Sequence, residues 1–111
     1  MNRQEKGWAG ERHVKALLQV EGWFVVDLAP SWPCDLLGLR RFTWGDPLPS
    51  HYGYDLLWVE VKVKTPYKPR LTPPERTFLL NRKAQGDLVR FYWLKREGEG
   101  FRVTELPVDP P

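Results

Sequence analysis

Apolar residues recur with helical spacing along the first part of the chain. Over residues 4–21, Val14 and Leu18 lie four positions apart on one stripe, and Glu11 falls on the same stripe three positions before Val14. Gly22 follows directly, and a glycine in this position is typical of a helix C-terminus. The pattern predicts a first helix that carries a carboxylate, Glu11, on its apolar face.

Three strand-like runs come next. Residues 23–29 (WFVVDLA) are rich in aromatic and β-branched residues and end before Pro30. Asp35 opens a short second strand, DLLGL, and a third strand is predicted from about residue 54 to 64. Between these two strands, residues 40–53 carry several Gly and Pro turn signals and polar side chains, which predicts an inserted loop.

The second helix has both of its ends marked in the sequence. Thr72 is predicted as the N-cap and Pro73 as the first helical residue. Glu75 completes a capping box with Thr72, and Gly86 marks the end of the helix.

Two further strand-like runs follow the second helix. LVRFYWLK (88–95) and FRVTEL (101–106) are separated by the turn sequence REGEG, which predicts a hairpin before a Pro-rich tail at 107–111. The element order is therefore α, β, β, β, α, β, β within one domain, residues 1–111. This order predicts an α/β fold with a mixed sheet of about five strands flanked by two helices.

The composition excludes several classes of protein. Apolar residues make up 41% of the 111 positions. No run approaches the ~20 consecutive apolar residues of a membrane helix, and no signal peptide is predicted. The single cysteine, Cys34, excludes a multi-cysteine zinc site within one chain. We therefore expect a soluble protein of a reducing cytoplasm, or of the host-cell cytoplasm if it is viral, with no membrane partner.

Three carboxylates occupy positions that a plain core would not give them. Glu11 lies on an apolar helix stripe, Asp35 begins a strand, and Glu60 falls inside an apolar strand. A buried carboxylate is costly unless it is paired or binds a cation, and Mg²⁺ takes such oxygen ligands. Lys62 shares the strand face of Glu60 and could orient an attacking water or offset charge on a phosphate. The set predicts a metal-dependent phosphodiester cleavage site.

The same residues resemble a known family. An acidic residue in the first helix, then an Asp, then Glu-x-Lys on the following strand looks like the PD-(D/E)XK nuclease superfamily. Within it, KGWAGERHVKALLQVEGWFVVDLAPS followed by CDLLGL and WVEVKVKT is most similar to archaeal-type Holliday junction resolvases. The resemblance covers roughly residues 3–65 closely, and the rest of the chain by element order.

The resemblance implies a PD-(D/E)XK nuclease-like fold and a structure-selective endonuclease that resolves four-way DNA junctions in recombination and repair. It implies hydrolysis with Mg²⁺ as cofactor, which Mn²⁺ can replace, leaving 5′-phosphate and 3′-hydroxyl ends. Carried over residue by residue, it implies a metal site formed by Glu11, Asp35 and Glu60. Lys62 is then catalytic, and Ser31 contacts the substrate or a metal-bound water.

Basic and aromatic residues near the predicted site are candidates for contacts with DNA. Seventeen Lys and Arg against fourteen Asp and Glu give a net charge of +3, a modest indication of a polyanionic partner. Basic residues that would flank the site gather at the start of the first helix and after the third strand, and Trp32 in a loop is a candidate for stacking on unpaired bases. The predicted DNA-binding set is Arg3, Lys6, Arg12, Lys15, Trp32, Lys64, Lys68 and Arg70.

Symmetry of the proposed substrate predicts a homodimer. A four-way junction needs two matched cuts, whereas one chain carries one copy of the site, and a twofold dimer supplies two. The predicted interface is the second helix with residues 88–95, where both strand faces carry a large aromatic residue, Tyr92 on one and Phe91 on the other.

Other interpretations stay open at this point. Glu60 and Lys62 could form an exposed charge pair, Glu11 could pair with Lys15, and Asp55 could replace Asp35, although strand alternation sends Asp55 to the face opposite Glu60. The sequence also departs from the family. Cys34 stands where the superfamily expects Pro, and the loop at 40–53 lengthens the gap before Glu60. The alternatives to a junction resolvase are a non-catalytic nucleic-acid-binding module of the same fold, or a restriction- or repair-type nuclease with a different target.

Overall fold

The computed structural model describes residues 3–45, 51–64 and 67–109, with side chains from residue 7 onward. It contains five strands and two helices in the predicted order, so the predicted fold class is confirmed. No helix in these ranges is long and apolar enough to cross a membrane. The elements are α1 (Arg3–Val20), β1 (Phe24–Asp27), β2 (Leu36–Trp44), β3 (His51–Val63), α2 (Pro73–Ala84), β4 (Leu88–Glu97) and β5 (Gly100–Leu106).

The five strands form one mixed sheet in the order β1-β2-β3-β4-β5. β3 and β4 are parallel and are connected through α2, whereas the other neighbours are antiparallel. The two helices belong to different clusters of buried side chains. Val14 and Leu18 of α1 pack with Val59 and the residues around it, and Leu79 of α2 packs in a second cluster.

β3 contributes side chains to both clusters. Leu57, Val59 and Val61 belong to the cluster of α1, and Trp58 belongs to the cluster of α2. Because side chains alternate along a strand, Glu60 and Lys62 follow Trp58 on the α2 face. A strand with helices packed on both of its faces is typically a nearly continuous apolar run, which explains the sequence LLWVEVKV and makes Glu60 and Lys62 its two exceptions.

Local signals fix the ends of α2 as predicted. Thr72 has extended backbone angles (φ −68°, ψ 157°), and its hydroxyl accepts a hydrogen bond from the Glu75 N–H. The Thr72 N–H in turn donates to the Glu75 carboxylate at 2.7 Å, so the capping box is complete. Gly86 follows the helix with φ +96°, in the left-handed region that a glycine adopts without strain.

The prediction of a loop over residues 40–53 is wrong for most of its length. β2 continues to Trp44 and β3 already begins at His51, with Trp44 opposite His51 in the register, and residues 46–50 lie outside the described part. The Gly and Pro signals mark the turn region, whereas aromatic side chains stabilise the strands beside it. Phe42, Trp44 and His51 stack in sequence at centroid distances of 5.5 and 5.4 Å. Trp44 is 51% exposed on this hairpin.

β4 does not offer the uncovered apolar faces that its sequence suggested. Phe91 is 3% exposed in the cluster of α2, and Leu94 is fully buried in the cluster of α1. Tyr92 is half-buried and packs against the same cluster as Leu94. Both faces are therefore covered within one chain, and Phe91 and Leu94 are not available to a dimer interface.

Gly10 brings α1 close to the sheet, and this contact predicts a measurable asymmetry between two glycines of the helix. A Cβ at Gly10 would overlap Val63 Cγ2, whereas a Cβ at Gly7 would meet nothing within 4 Å. We expect Gly7→Ala to raise the free energy of unfolding by up to ~1 kcal/mol through helix propensity. Gly10→Ala is expected to lower it by ~1–2 kcal/mol, because overpacking outweighs the same gain. Urea denaturation of both variants tests this. Equal stabilisation by both would show that α1 does not approach β3 as described.

Candidate active site

Glu60 is a buried carboxylate in the middle of β3. Glu60 is 4% exposed, and its neighbours along the strand, Val59 and Val61, are also buried. Burial raises the pKa of Glu60 well above its usual value, and contacts with the carboxyl groups of Asp35 and Glu75 raise it further. Each of these causes disfavours the ionised form of Glu60.

Asp35 is held next to Glu60 by the backbone of β3. Its N–H donates to the Val59 carbonyl at 3.0 Å, and its Oδ2 accepts the Val61 N–H at 2.7 Å. The Leu28 N–H donates to the Asp35 carbonyl from the other side at 3.0 Å. These three bonds fix the residue just before β2, where its carboxylate meets Glu60.

Glu11 reaches the same place from α1. Burial raises the pKa of Glu11, and the charge of Asp35 and a hydrogen-bonding contact with its carboxyl group raise it further. Lys15, the alternative partner considered for Glu11, pairs instead with Asp27 at 2.9 Å. Glu11 and Glu60 thus each contact Asp35, and we refer to these three residues as the acidic cluster.

Asp55 does not join the acidic cluster. It lies nearer the turn of the β2–β3 hairpin and forms an ion pair with Arg40 at 3.6 Å, with both side chains largely exposed. Strand alternation also places it on the face opposite Glu60. Asp55 therefore serves better as a control for Asp35 than as its replacement.

Lys62 lies beside the acidic cluster and has a partner that the sequence did not reveal. Its Nζ is 2.9 Å from Glu75 Oε1 and 3.0 Å from Oε2. Burial alone would raise the pKa of Glu75, but the Thr72 N–H and the Lys62 ammonium outweigh it and hold that pKa below its usual value. Lys62 and Glu60 are thus not an isolated charge pair on a solvated face.

Glu75 was predicted only as part of the capping box. A signal for its second role exists in the topology. The N-terminus of a helix that connects two parallel strands lies close to the C-terminal end of the strand that precedes it. An acidic residue in the first turn of such a helix faces the last residues of that strand. This rule links Glu75 to Lys62 across 13 positions of sequence.

Cys34 adjoins the acidic cluster without adding a charge. It is buried, as predicted, and burial raises the pKa of its thiol to about 12, with the charges of Glu60 and Asp35 acting in the same direction. A thiol with so high a pKa is neutral at physiological pH and a poor nucleophile. Cys34 therefore acts as a small buried residue beside Asp35.

The other predicted site residues differ in their exposure and in their contacts. Ser31 is exposed in the turn before Asp35, and Trp32 is 43% exposed and stacks on Trp58 at 5.8 Å. Of the predicted DNA-binding cations, Arg12 and Lys64 are exposed, and Lys15 is engaged with Asp27. The side chains of Arg3 and Lys6 lie outside the described part of the chain. Lys68 and Arg70 line a cavity beside α2.

The acidic cluster has the chemistry of a site for a hard divalent cation. Its members supply carboxylate oxygens, and both Glu11 and Glu60 adjoin Asp35. Burial, and then the neighbouring Asp35, raise the pKa values of Glu11 and Glu60. Within the described ranges, no three His, Cys, Asp or Glu side chains are already arranged as ligands of one ion. Asp35 Oδ2 and Glu60 Oε1 both accept the Val61 N–H, at 2.7 and 3.2 Å. The donor set fits a cation, because each carboxylate keeps lone pairs beyond the one that accepts the Val61 N–H.

Glu75→Gln separates the two roles of Glu75, because glutamine also completes a capping box but carries no charge. We expect α2 and the melting temperature to be preserved and turnover to fall ~10–100-fold, the usual effect of losing a side chain that orients a reacting group. Circular dichroism and single-turnover cleavage of a DNA junction measure the two effects. Full activity of a folded Glu75→Gln protein would remove Glu75 from the site.

Comparison with known proteins supports the fold. No family model and no curated protein matches the sequence. Among solved structures, the chain is similar to Hjc, a Holliday junction resolvase from the archaeal hyperthermophile Archaeoglobus fulgidus, with a TM-score of 0.64 and 20% sequence identity. The match covers 93% of this chain and 73% of Hjc. The chain therefore has the fold of this archaeal resolvase, which is the fold that the resemblance in its sequence implied.

Proposed function

We propose that this protein is a structure-selective endonuclease that resolves four-way DNA junctions by metal-dependent phosphodiester hydrolysis. The observation that carries the proposal is the meeting of Glu11, Asp35 and Glu60 beside Lys62, on the fold of an archaeal resolvase. These side chains come from three separate elements, and a binding module would gain nothing from bringing their charges together. An activity of this kind serves DNA recombination and repair.

Asp35 and Glu60, with Glu11, would hold Mg²⁺, for which Mn²⁺ can substitute. When bound, the cation makes a water easier to deprotonate and polarises the scissile phosphate. Lys62 offsets negative charge that develops on the phosphate and helps to orient the nucleophilic water. Glu75 keeps the Lys62 ammonium at the cluster through contacts of 2.9 and 3.0 Å.

DNA would approach the side of the cluster where exposed cations and an aromatic residue lie. Arg12 is exposed on the same helix as Glu11, and Lys64 is exposed two residues after Lys62. Trp32 presents nearly half of its surface in the turn that also carries Ser31. Contacts of this kind position the phosphate backbone without reading its sequence, as expected of an enzyme that recognises the shape of its substrate.

A substrate panel tests the proposed function. Labelled four-way junction, duplex, flap and single-stranded DNA are incubated with the protein in Mg²⁺ or in EDTA. We expect cleavage in Mg²⁺ alone, with the junction strongly preferred. Equal cleavage of all four substrates would contradict junction selectivity and favour a repair-type nuclease. Tight binding without cleavage of any substrate would favour a binding module.

A homodimer is part of the proposal, since one chain has one acidic cluster and a junction needs two matched cuts. We expect light scattering at micromolar concentration to give twice the 13.1 kDa mass of the chain. Paired symmetric nicks from a strictly monomeric protein would contradict this, because no second site would be present to make the matching cut.

A further inference from the structure

A cavity of about 700 Å³ opens beside the acidic cluster, between the segment that leads into α2 and the last two strands. Its volume is within the range of small-molecule sites in proteins. The cavity is linked to the cluster through Phe91, which stands opposite Glu60 in the β3–β4 register. Arg76, another lining residue, follows Glu75 in α2. Its lining is Lys68, Pro69, Arg70, Leu71, Arg76, Phe91, Leu106, Pro107 and Asp109.

The charged residues of the lining are predominantly cationic. Lys68, Arg70 and Arg76 contribute three positive charges, and Asp109 is the acidic member of the lining. Asp109 Oδ2 is engaged with Lys83 Nζ at 2.6 Å, which compensates its charge. The cavity therefore presents a net positive potential and is complementary to an anion.

Arg76 supplies the second observation. The Nε of Arg76 is buried and has no hydrogen-bond partner. Among the described residues, no other buried side-chain nitrogen or oxygen lacks one. A buried donor without an acceptor costs ~1–3 kcal/mol, so such groups usually have a ligand or a water. The guanidinium group matches the two oxygens of a phosphate or carboxylate better than any other side chain does. Nε itself is closed to solvent, so an anion in the cavity would be held through the rest of the Arg76 guanidinium, together with Lys68 and Arg70.

The remaining wall is apolar and suits a flat ring. Leu71 and Phe91 are 6% and 3% exposed, so each presents only a small apolar edge to the cavity. Pro69, Leu106 and Pro107 complete this part of the lining. A ligand with both an aromatic ring and an anionic group satisfies the two kinds of surface at once.

We propose that this cavity binds one nucleotide of an unpaired DNA strand, with the base against the apolar wall and the 5′-phosphate on Arg76. Lys68 and Arg70 then contact the same phosphate or its neighbour. The choice of DNA as the source of the nucleotide rests on the proposed function, whereas the cavity and its charges do not. The subsite would hold a strand that leaves the duplex next to the acidic cluster, and so favour branched substrates over continuous duplex.

Binding in EDTA tests the site without any need for cleavage. The probe is 5′-dAMP, titrated into the full chain and followed by NMR of backbone amides, with inorganic phosphate as a parallel titration. We expect shifts concentrated at Leu71, Phe91 and Leu106, and weaker binding of phosphate alone. Shifts located elsewhere would overturn the proposal. Equal affinity for phosphate and 5′-dAMP would overturn the nucleotide assignment in favour of a simple anion site.

Two matched variants separate the site from general electrostatics. Arg76→Met is expected to weaken 5′-dAMP binding at least tenfold. Arg102→Met, which removes an exposed arginine paired with Glu97 on the β4–β5 hairpin, is expected to leave it unchanged. An equal loss of 5′-dAMP affinity in both variants would show that binding depends only on the net charge of the protein, and would overturn the proposal. If Arg76→Met does not fold, Arg76→Lys takes its place, and it should still weaken binding because it loses the two-pronged contact.

A last comparison identifies the source of the nucleotide. A (dA)5 oligonucleotide should bind more tightly than 5′-dAMP, because flanking phosphates add contacts with Lys68 and Arg70. Equal affinities would overturn the strand as the ligand in favour of a free nucleotide. The outcome is independent of cleavage. A protein that binds 5′-dAMP here but cuts no DNA keeps this site and loses the proposed nuclease activity, whereas an active junction nuclease without this binding loses the site alone.

Discussion

The Asp35→Asn variant is expected to lose junction cleavage by at least ~10³-fold while it binds the junction as tightly as the unaltered protein, or more tightly. A cation at the acidic cluster supplies several kcal/mol of transition-state stabilisation, and each 1.36 kcal/mol corresponds to about tenfold in rate. Asparagine keeps a side-chain oxygen that can accept the Val61 N–H, a bond of 2.7 Å to Asp35, so the backbone around the site is preserved. Removing one negative charge also lessens the repulsion of phosphates.

Asp55→Asn is the matched control for this substitution. Asp55 makes an exposed ion pair with Arg40 and does not adjoin the cluster, so cleavage should persist. Cleavage and binding are measured on the same junction, by denaturing gel and by fluorescence anisotropy in Ca²⁺. Parallel loss of binding and cleavage in Asp35→Asn would show that Asp35 holds the fold or the DNA rather than the cation. Glu60→Gln should reproduce the Asp35→Asn phenotype.

Lys62→Ala is expected to reduce turnover ~10²–10³-fold and to leave metal affinity largely intact. In the proposed mechanism the lysine offsets charge that develops in the transition state, and losing one such donor typically costs that much. Its Nζ contacts Glu75 rather than a member of the acidic cluster, so its removal does not delete a ligand. Single-turnover rates at several Mg²⁺ concentrations separate the two effects, since a lower plateau with an unchanged midpoint is predicted.

Lys83→Ala controls for the loss of a lysine and an ion pair near α2. Lys83 pairs with Asp109 at 2.6 Å near the C-terminal end of the helix, and its removal should leave single-turnover rates unchanged. A near-native rate for Lys62→Ala would exclude Lys62 from the chemistry. A shifted Mg²⁺ midpoint would instead show that Lys62 sets the affinity of the cluster.

Much of the fold was predictable because local signals and long-range packing agree. The capping box at Thr72 and Glu75 defined the start of α2, and the alternation of Val59, Glu60 and Val61 placed Glu60 on one face of β3. Glu11 and Asp35 were recognisable as candidates because a carboxylate is unusual on an apolar stripe or beside a buried strand.

The errors arose where a residue's surroundings depend on elements distant in sequence. Phe91 and Tyr92 of β4 suggested an interface because the sequence does not show that a helix covers each face of the strand. The β2–β3 hairpin was taken for a loop because Gly and Pro near its turn outweighed the aromatic residues that pair along its strands. Glu75 was not predicted as a site residue, because its capping role alone explains a glutamate at this position.

The location of a divalent cation is the most direct test of the acidic cluster as a metal site. Mn²⁺ broadens the NMR signals of nearby nuclei, so substoichiometric Mn²⁺ added to the protein without DNA shows where the ion resides. We predict that the amide signals of Glu11, Asp35 and Val61 are lost first, and that Glu60→Gln prevents this loss at the same Mn²⁺ concentration. Uniform broadening across the sheet, or an unchanged pattern in Glu60→Gln, would contradict a cation site formed by Glu11, Asp35 and Glu60.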